Sequence, residues 1–377
     1  MSLRFLLLPA LLLLPAAATA TAAGTAEETA RILKHGPWPP PARHDSSNRF
    51  SGHPQAVALG AMLFHDRRLS GPGTIACAQC HDPARAFAEE RPVSRGAALL
   101  VRNAPSLLGA ALQRWFGWDG AADSLWAASI RPILAPAEMA GSAGQVAALL
   151  GAEEAYACRV RALGAGGEAP LVVAGKALAA FQETLVPGRS PFDDYRDALA
   201  AGQQAPYPPA ARRGLALFVG RADCRLCHAG PAFSNGEFAD IGRRYFTAPG
   251  QVDPGRYGGL QAARASPYNR LGLHSDDPAS GWATAQARLD PWMWGAFKVP
   301  SLRNVARTAP YMHDGSAASL AEVLRHYSEV DEDRLHADGE RIVRALRLSA
   351  GEMADLAAFL ESLSGPDPPP PALAPCP

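Results

Sequence analysis

The sequence predicts a mainly α-helical protein made of two similar domains in tandem, with long loops and little sheet. Two observations support this fold class. The pentapeptides CAQCH (77–81) and CRLCH (224–228) repeat one motif, and each follows the pattern Gly-x-x-Leu-Phe, at 60–64 and 214–218. An apolar helix and a short motif that occur twice, far apart in the chain, indicate a duplicated structural unit.

An export signal precedes the two units. A basic residue stands ahead of an apolar run from Phe5 to Ala18, and small residues follow it. This run is shorter than the ~20 residues that a membrane span needs, which argues against an uncleaved anchor. We therefore predict a signal peptide over residues 1–23, a linker over 24–47 and export to the periplasm, with no membrane span after cleavage.

The balance of charge excludes a broad class of partners. Lysine and arginine number 36, as do aspartate and glutamate, and 48% of the residues are hydrophobic. A chain with no net charge and ample apolar material is expected to form real cores and not to bind nucleic acid over a broad surface.

The two pentapeptides predict cofactors. C-x-x-C-H is the attachment signature of c-type haem, in which two thiols bond to the porphyrin and the histidine binds the iron. A thioredoxin-like redox pair would not require the histidine, and zinc would need four ligands close together. We expect two covalently bound haem c groups. The attachment and ligand residues are Cys77, Cys80, His81, Cys224, Cys227 and His228.

Proline and glycine divide the chain further. The stretch from Pro187 to Pro209 interrupts the helical pattern and suits a domain connection. We place the first domain at 48–200, the second at 201–365 and an extended, mobile proline-rich tail at 366–377. The remaining cysteines, Cys158 and Cys376, are either a disulfide pair or two free thiols.

The first haem is expected to have an open side. No histidine lies between His81 and His228, and Met139 is the only methionine between them. Unless Met139 or a distant loop binds the iron, the first haem lacks a second strong protein ligand. A haem that only carries electrons usually has two protein ligands, so this pattern is typical of a reactive iron. Glu138, in an apolar and proline-flanked stretch, could move the protons needed to cleave a peroxide, or it could occupy the first turn of a helix.

Several longer segments strengthen this interpretation. RNAPSLL, WDGAADSL, RPILAPAEM, DPGRY and FKVPSLRNVARTAPYMHDG accompany the two motifs. Together they resemble the bacterial dihaem cytochrome c peroxidase and MauG superfamily, from about Asn48 to Ser364. The resemblance implies a periplasmic enzyme that reduces hydrogen peroxide to water.

The resemblance also implies roles around the first haem. His81 would hold the high-spin peroxidatic haem, and Glu138 would be its distal acid-base residue. Trp118 would relay electrons between the haems, and Pro132 would lie near the distal pocket. Members that block the iron until the other haem is reduced have a histidine soon after the first motif, which this chain lacks. Ala128 stands where some members have glutamine, which removes a hydrogen-bonding group near the pocket.

A calcium ion between the domains is a further implication. Asn103 would contribute a side-chain oxygen, and Thr308 and Pro310 would contribute backbone carbonyls, the hard ligands that calcium prefers. Arg303 and Lys298 would meet haem propionates, although a solvated surface position is an alternative for Lys298.

The stretch SAASLAEVLRHY predicts a helix that begins at Ser316 or Ser319, with Glu322 completing a capping box. Tyr327 falls on its apolar face, whereas His326 lies about 100° away on the polar face. The residues that share the face with Tyr327 are Leu320, Val323 and Leu324.

Family register points to the same tyrosine. Cytochrome c peroxidases place a methionine fourteen residues after the histidine of HDG, whereas MauG-type proteins place a tyrosine there. Fourteen residues after His313 stands Tyr327, and His313 would line the haem environment. The alternative is that Tyr327 packs in the core while a methionine binds the iron. The candidates are Met312, Met293 and Met353.

These observations predict a MauG-like peroxidase whose second haem has His/Tyr ligation. Its partners would be hydrogen peroxide and either an electron-donor protein, a small cytochrome or a cupredoxin, or a protein substrate that it oxidises. The alternatives are a dihaem electron-transfer cytochrome and a conventional cytochrome c peroxidase with a His/Met second haem.

Overall fold

The computed structural model describes residues 25–243, 246–248, 250–331 and 342–376. These residues are mainly helical with little sheet, which confirms the predicted fold class. The predicted signal peptide lies outside them. Within the same ranges, no helix combines the length and the apolar character that crossing a membrane requires.

Thirteen α-helices occur in the described residues. The first eight are α1 (Ala26–Leu33), α2 (Pro54–His65), α3 (Cys77–Cys80), α4 (Leu125–Leu134), α5 (Ala143–Ala152), α6 (Glu154–Ala162), α7 (Pro170–Glu183) and α8 (Pro191–Ala200). The others are α9 (Pro209–Val219), α10 (Gly255–Ala265), α11 (Trp282–Gln286), α12 (Leu320–Glu329) and α13 (Ala350–Glu361). Two short antiparallel pairs join β1 (Phe238–Ala239) to β4 (Phe297–Lys298) and β2 (Phe246–Ala248) to β3 (Gln251–Val252).

The apolar residues form two main cores along the chain. The first core draws on residues from Phe50 to Leu185, and helix α7 is its centre because α7 is buried from Leu171 to Gln182. The second core contains Ile32 and residues from Phe192 to Leu363. Phe192 belongs to α8, so α8 packs with the second core although the sequence places it before the domain boundary. We call residues 48–185 the first half and residues 186–365 the second half.

The repeated Gly-x-x-Leu-Phe pattern has the same packing in both halves. In α2, a Cβ atom on Gly60 would lie 2.0 Å from the carbonyl oxygen of Ala177 in α7. In α9, a Cβ atom on Gly214 would lie 2.0 Å from the carbonyl oxygen of Asp355 in α13. Each glycine therefore permits a close helix crossing, and this contact is the structural basis of the repeat.

The N-terminal segment is more ordered than a linker. Helix α1 begins at Thr25, whose side chain accepts a hydrogen bond from the Glu28 amide, and Ile32 packs in the second core. After α1, the Trp38 indole N–H donates to the Pro187 carbonyl oxygen at 2.9 Å. Apolar and aromatic side chains thus hold this segment against the second half, where the sequence suggests a free connection.

The proline-rich tail is also held in place. Cys158 and Cys376 form a disulfide, with 6.1 Å between their Cα atoms. Gln55 donates to the Pro375 carbonyl oxygen at 2.7 Å, and Arg159 donates to the Ala374 carbonyl oxygen at 3.0 Å. These contacts join residues 374–376 to the first half, whereas the sequence predicts an extended, mobile tail.

Candidate active site

The first C-x-x-C-H motif forms the one-turn helix α3. Burial raises the pKa of Cys77 to about 12 and that of Cys80 to about 11, so both are protonated thiols before any haem is attached. Nδ1 of His81 lies 3.4 Å from the carbonyl oxygen of Phe87. Burial lowers the pKa of His81 to about 4, which keeps the ring neutral and leaves Nε2 as its metal-binding atom.

The second motif has the same arrangement on a 3₁₀ turn from Cys224 to Leu226. Nδ1 of His228 donates to the carbonyl oxygen of Phe233 at 2.9 Å, and burial lowers the pKa of His228. Neither Cys224 nor Cys227 is in a disulfide. Each motif thus presents two cysteines outside any disulfide and one neutral, oriented imidazole, the donor set that covalent haem requires.

A cavity of about 790 Å³ adjoins the second motif. Its volume falls in the range of ~300–1,000 Å³ that small-molecule and cofactor sites have. The predicted site residues that line it are Cys224, Cys227, His228, Tyr327, Trp118, Asn103, Thr308, Pro310, Arg303 and His313. One cavity therefore brings together residues that the sequence assigns to the second haem, the calcium ion and the relay.

Helix α12 has the orientation that its sequence predicts. Leu320, Val323, Leu324 and Tyr327 all line the cavity, whereas Nε2 of His326 lies 2.8 Å from the Ile241 carbonyl oxygen. The Ser319 hydroxyl accepts from the Glu322 amide at 3.2 Å, so Ser319 begins the helix. The Glu322 carboxylate accepts from the Ala318 amide, one residue before the position that a capping box uses.

The phenol of Tyr327 lies near the second motif. Burial raises the pKa of Tyr327, and the sulfurs of Cys224 and Cys227 raise it further. Met312 lines the same cavity, whereas Met293 packs with a third apolar cluster around Trp115. Of the candidate iron ligands Tyr327, Met312, Met293 and Met353, the first two line the cavity.

Glu138 lies in the turn between α4 and α5, and its side chain is half-buried. It occupies no helical first turn, so the capping alternative is wrong. Burial raises the pKa of Glu138; the charge of Arg131 lowers it, and the charge of Asp119 raises it. The charge of Glu138 also raises the pKa of both Cys77 and Cys80, so its carboxyl is within electrostatic range of the first motif.

The neighbours of Glu138 explain its position. Pro132 lies inside α4, and its carbonyl oxygen accepts from the Met139 amide at 3.1 Å, which closes the turn around Glu138. The side chain of Met139 is 4% exposed and packs in the first core. Pro132 is thus close to Glu138 in space as well as in sequence.

Trp118 is fixed next to the candidate calcium residues. Its indole N–H donates to the Asn103 carbonyl oxygen at 2.8 Å. The Asn103 side-chain amide donates to the Arg91 carbonyl oxygen at 2.9 Å, so Oδ1 is the side-chain atom that could accept a hydrogen bond or bind a cation. Thr308 and Pro310 line the same cavity as Asn103.

Two basic residues are more buried than their sequence suggests. Both terminal nitrogens of Arg303 bond to Asp193, at 2.6 and 2.8 Å, and its guanidinium lies 4.0 Å from the Trp38 ring. Lys298 is 6% exposed and donates to the Trp115 carbonyl oxygen at 3.2 Å. Burial lowers the pKa of Lys298 to about 8, and its solvated-surface alternative is wrong.

Sequence reasoning missed the aromatic contacts behind the second motif. His35 stacks on Phe233 at 4.6 Å between ring centroids, and the carbonyl oxygen of Phe233 is the acceptor for His228. His313 similarly stacks on Phe297 at 3.6 Å, and burial lowers the pKa of His313 to about 4. The segment HGPW (35–38) has no periodic pattern, so only its aromatic side chains could have signalled burial.

Comparison with known proteins finds relatives that all belong to one family. Residues 54–200 match the family model described as di-haem cytochrome c peroxidase. The chain is 37% identical over 351 residues to the methylamine utilization protein MauG of Methylorubrum extorquens, covering 92% of this chain and 88% of that protein. It is 32% identical to the cytochrome-c peroxidase IdrP1 of a Pseudomonas species, covering 83% of this chain and 82% of that protein.

Solved structures agree with these relatives. A MauG-like protein associated with microbial copper homeostasis superposes with a TM-score of 0.65 at 31% identity, covering 86% of this chain and 93% of that chain. The diheme peroxidase BthA of Burkholderia thailandensis superposes with a TM-score of 0.66 at 23% identity, covering 86% and 87% of the two chains, and shows the shared fold.

Proposed function

Because the chain belongs to the di-haem cytochrome c peroxidase and MauG family, whose members are oxidoreductases with two haem c groups, we propose that it is a periplasmic, MauG-like peroxidase. Its reaction is H₂O₂ + 2 e⁻ + 2 H⁺ → 2 H₂O. The first half is the site of peroxide reduction, and the second half stores and passes on the oxidising equivalents.

The observation that supports this function most directly is the difference between Met139 and Glu138 in their positions relative to the first motif. Met139, the only methionine between His81 and His228, packs in the first core, whereas the carboxyl of Glu138 lies near the motif thiols. A haem held by His81 would supply an iron that binds the peroxide and passes electrons to it. Glu138 then takes the proton from the inner oxygen of hydrogen peroxide and delivers it to the outer oxygen.

The raised pKa of Glu138 suits this proton transfer. Because burial raises the pKa of Glu138, its carboxyl is protonated over a wider pH range than a solvated carboxyl is. The protonated form can then donate its proton to the leaving hydroxide. Arg131 opposes the effect of burial and keeps the carboxylate form accessible for the first step.

In the second half, Tyr327 is the proposed partner of His228 on the iron. A phenolate is a hard anionic ligand and favours ferric and higher states, whereas a thioether favours ferrous iron. Trp118 is the proposed relay between the halves. The electrons come from a small cytochrome or cupredoxin, or from a protein substrate that is itself oxidised.

The proposal includes one calcium ion between the halves. The proposed ligands of the calcium ion are Oδ1 of Asn103 and the carbonyl oxygens of Thr308 and Pro310. All three residues line the cavity that Trp118 also lines. Arg303 and His313 line this cavity as well and would contact the second haem if it occupies the cavity.

Replacement of Glu138 by glutamine tests the proposal. Peroxide turnover with a reduced cytochrome as donor should fall about 100- to 10,000-fold, because glutamine cannot move the proton. Glu183→Gln is the matched control: Glu183 is a carboxyl of the same half whose pKa burial also raises, and the Ser51 hydroxyl donates to it at 2.7 Å. Undiminished turnover in Glu138→Gln would disprove the catalytic assignment.

A second candidate is a conventional cytochrome c peroxidase with His/Met ligation, because Met312 lines the cavity with Tyr327. Electron paramagnetic resonance of the resting protein separates the candidates. One high-spin ferric signal supports the open first site, two low-spin signals support a plain electron carrier, and loss of a low-spin signal in Met312→Leu identifies methionine ligation.

A further inference from the structure

The dipeptide Arg102–Asn103 contacts the relay dipeptide Trp118–Asp119 residue by residue. The NH1 nitrogen of Arg102 lies 2.6 Å from Oδ2 of Asp119. The carbonyl oxygen of Asn103 accepts from the indole N–H of Trp118 at 2.8 Å. Trp118 is therefore held directly through its ring and indirectly through the residue that follows it.

The same dipeptide also contacts the second half. Nε of Arg102 donates to Oδ2 of Asp253 at 2.7 Å, and NH2 donates to the other oxygen of that carboxylate. The backbone amide of Asn103 donates to the His313 carbonyl oxygen at 2.8 Å. Arg102 thus spans the space between an aspartate next to Trp118 and an aspartate of the second half.

These contacts lie in a desolvated place. Asp119 is 7% exposed and Asp253 is 3% exposed, and the guanidinium of Arg102 lies 5.6 Å from the Phe297 ring, which stacks on His313. Charge-assisted bonds to a planar guanidinium fix geometry more strictly than a point charge does, and losing one partner of a buried pair is costly. Arg102 therefore restrains the orientation of both halves around the indole.

We propose that Arg102 is a positioning residue for electron transfer between the two halves, because it fixes Trp118–Asp119 against Asp253 of the second half. The role of Trp118 rests on the proposed function. In the step concerned, one electron leaves the reduced second haem and arrives at the oxidised first haem, with no proton transfer and no change in bonds. Small displacements of a group between two reactants lower rates steeply, so the restraint affects the rate and not the end states.

The test uses the holoprotein without peroxide. A photoreductant places one electron on the second haem, and absorbance follows its arrival at the first haem. In Arg102→Gln the rate should fall about 10-fold. In Arg102→Lys, which keeps the charge but loses the two-pronged geometry, it should fall to an intermediate value. Arg213→Gln is the matched control, because Arg213 bonds to Asp355 through the same pair of nitrogens, at 2.8 and 2.6 Å, on the surface.

Two results would overturn the proposal. One is an unchanged rate in Arg102→Gln, and the other is a slower rate that altered haem reduction potentials fully explain, because Arg102 would then act by charge alone. If Arg102→Gln does not fold, Asp253→Asn weakens the contact with the second half and should slow the transfer in the same way. Failure of the peroxidase proposal appears separately, as absence of peroxide turnover in the unaltered protein.

Discussion

The two halves share the helix packing and the histidine contact around each C-x-x-C-H motif, and they differ in the side chain that faces the motif. In both, a glycine in the helix before the motif allows a close helix crossing, and Nδ1 of the motif histidine faces a phenylalanine carbonyl oxygen. In the first half a glutamate in a turn, Glu138, approaches the motif. In the second half a tyrosine on a helix, Tyr327, faces the motif from across a cavity.

This difference shows where the two halves have separated in chemistry. Covalent attachment depends on the repeated elements, whose packing is the same in both. In the function proposed above, reactivity depends on elements that do not repeat, the α4–α5 turn and helix α12. A duplicated domain can therefore acquire two roles without altering its cofactor-binding core.

The largest expected effect concerns Tyr327. Tyr327→Phe should abolish one low-spin haem spectrum completely and leave the first haem unchanged, because only the second half has this tyrosine opposite its motif. Tyr311→Phe is the control, since Tyr311 lines the same cavity while its hydroxyl donates to the Val305 carbonyl oxygen at 3.0 Å. Resonance Raman and paramagnetic resonance spectra provide the measurement, and an unchanged spectrum in Tyr327→Phe would refute ligation.

A second prediction tests the shared framework. Gly60→Ala and Gly214→Ala should each lower the free energy of unfolding by about 2–3 kcal/mol, because the added methyl group would meet a carbonyl oxygen at 2.0 Å. Gly151→Ala and Gly351→Ala are the controls, as a Cβ atom there meets nothing within 4 Å. Calorimetry should show similar losses for the first pair. A loss in only one half would contradict the common packing.

The smallest expected effect is a shift in pH dependence that is confined to the first half. Arg131 lowers the pKa of Glu138, so Arg131→Gln should raise that pKa further. The proton-accepting form then appears at higher pH, and the acid limb of peroxide turnover moves upward. Because Arg131 is exposed, the shift should be below about one pH unit.

Rates measured from pH 4 to pH 8 test this shift. Arg161→Gln is the control, since Arg161 is an exposed arginine of the same half that pairs with Glu154. A limb that stays in place or moves downward in Arg131→Gln would show that another group controls the acid side.

Local pattern was enough to predict part of this molecule. The orientation of Tyr327 follows from helical periodicity over a few residues. The cysteines and histidines of the two motifs are recognised from the C-x-x-C-H spacing. Contacts between distant segments were not predictable, because nothing near either partner signals the other. The buried Arg303–Asp193 pair joins positions more than a hundred residues apart, and the stacking of His35 on Phe233 spans almost two hundred.

The disulfide of the tail has a consequence for maturation. If the chain is exported as we propose, six thiols enter an oxidising compartment, and four must remain reduced until the haems are attached. Cys158 appears after the first motif but long before Cys376, so it could oxidise with the wrong partner. Arg159 and Gln55 bind the backbone next to Cys376 and bring it to Cys158 only in the folded first half. We therefore expect native structure to select the correct thiol pair, with haem attachment first and closure of the tail last.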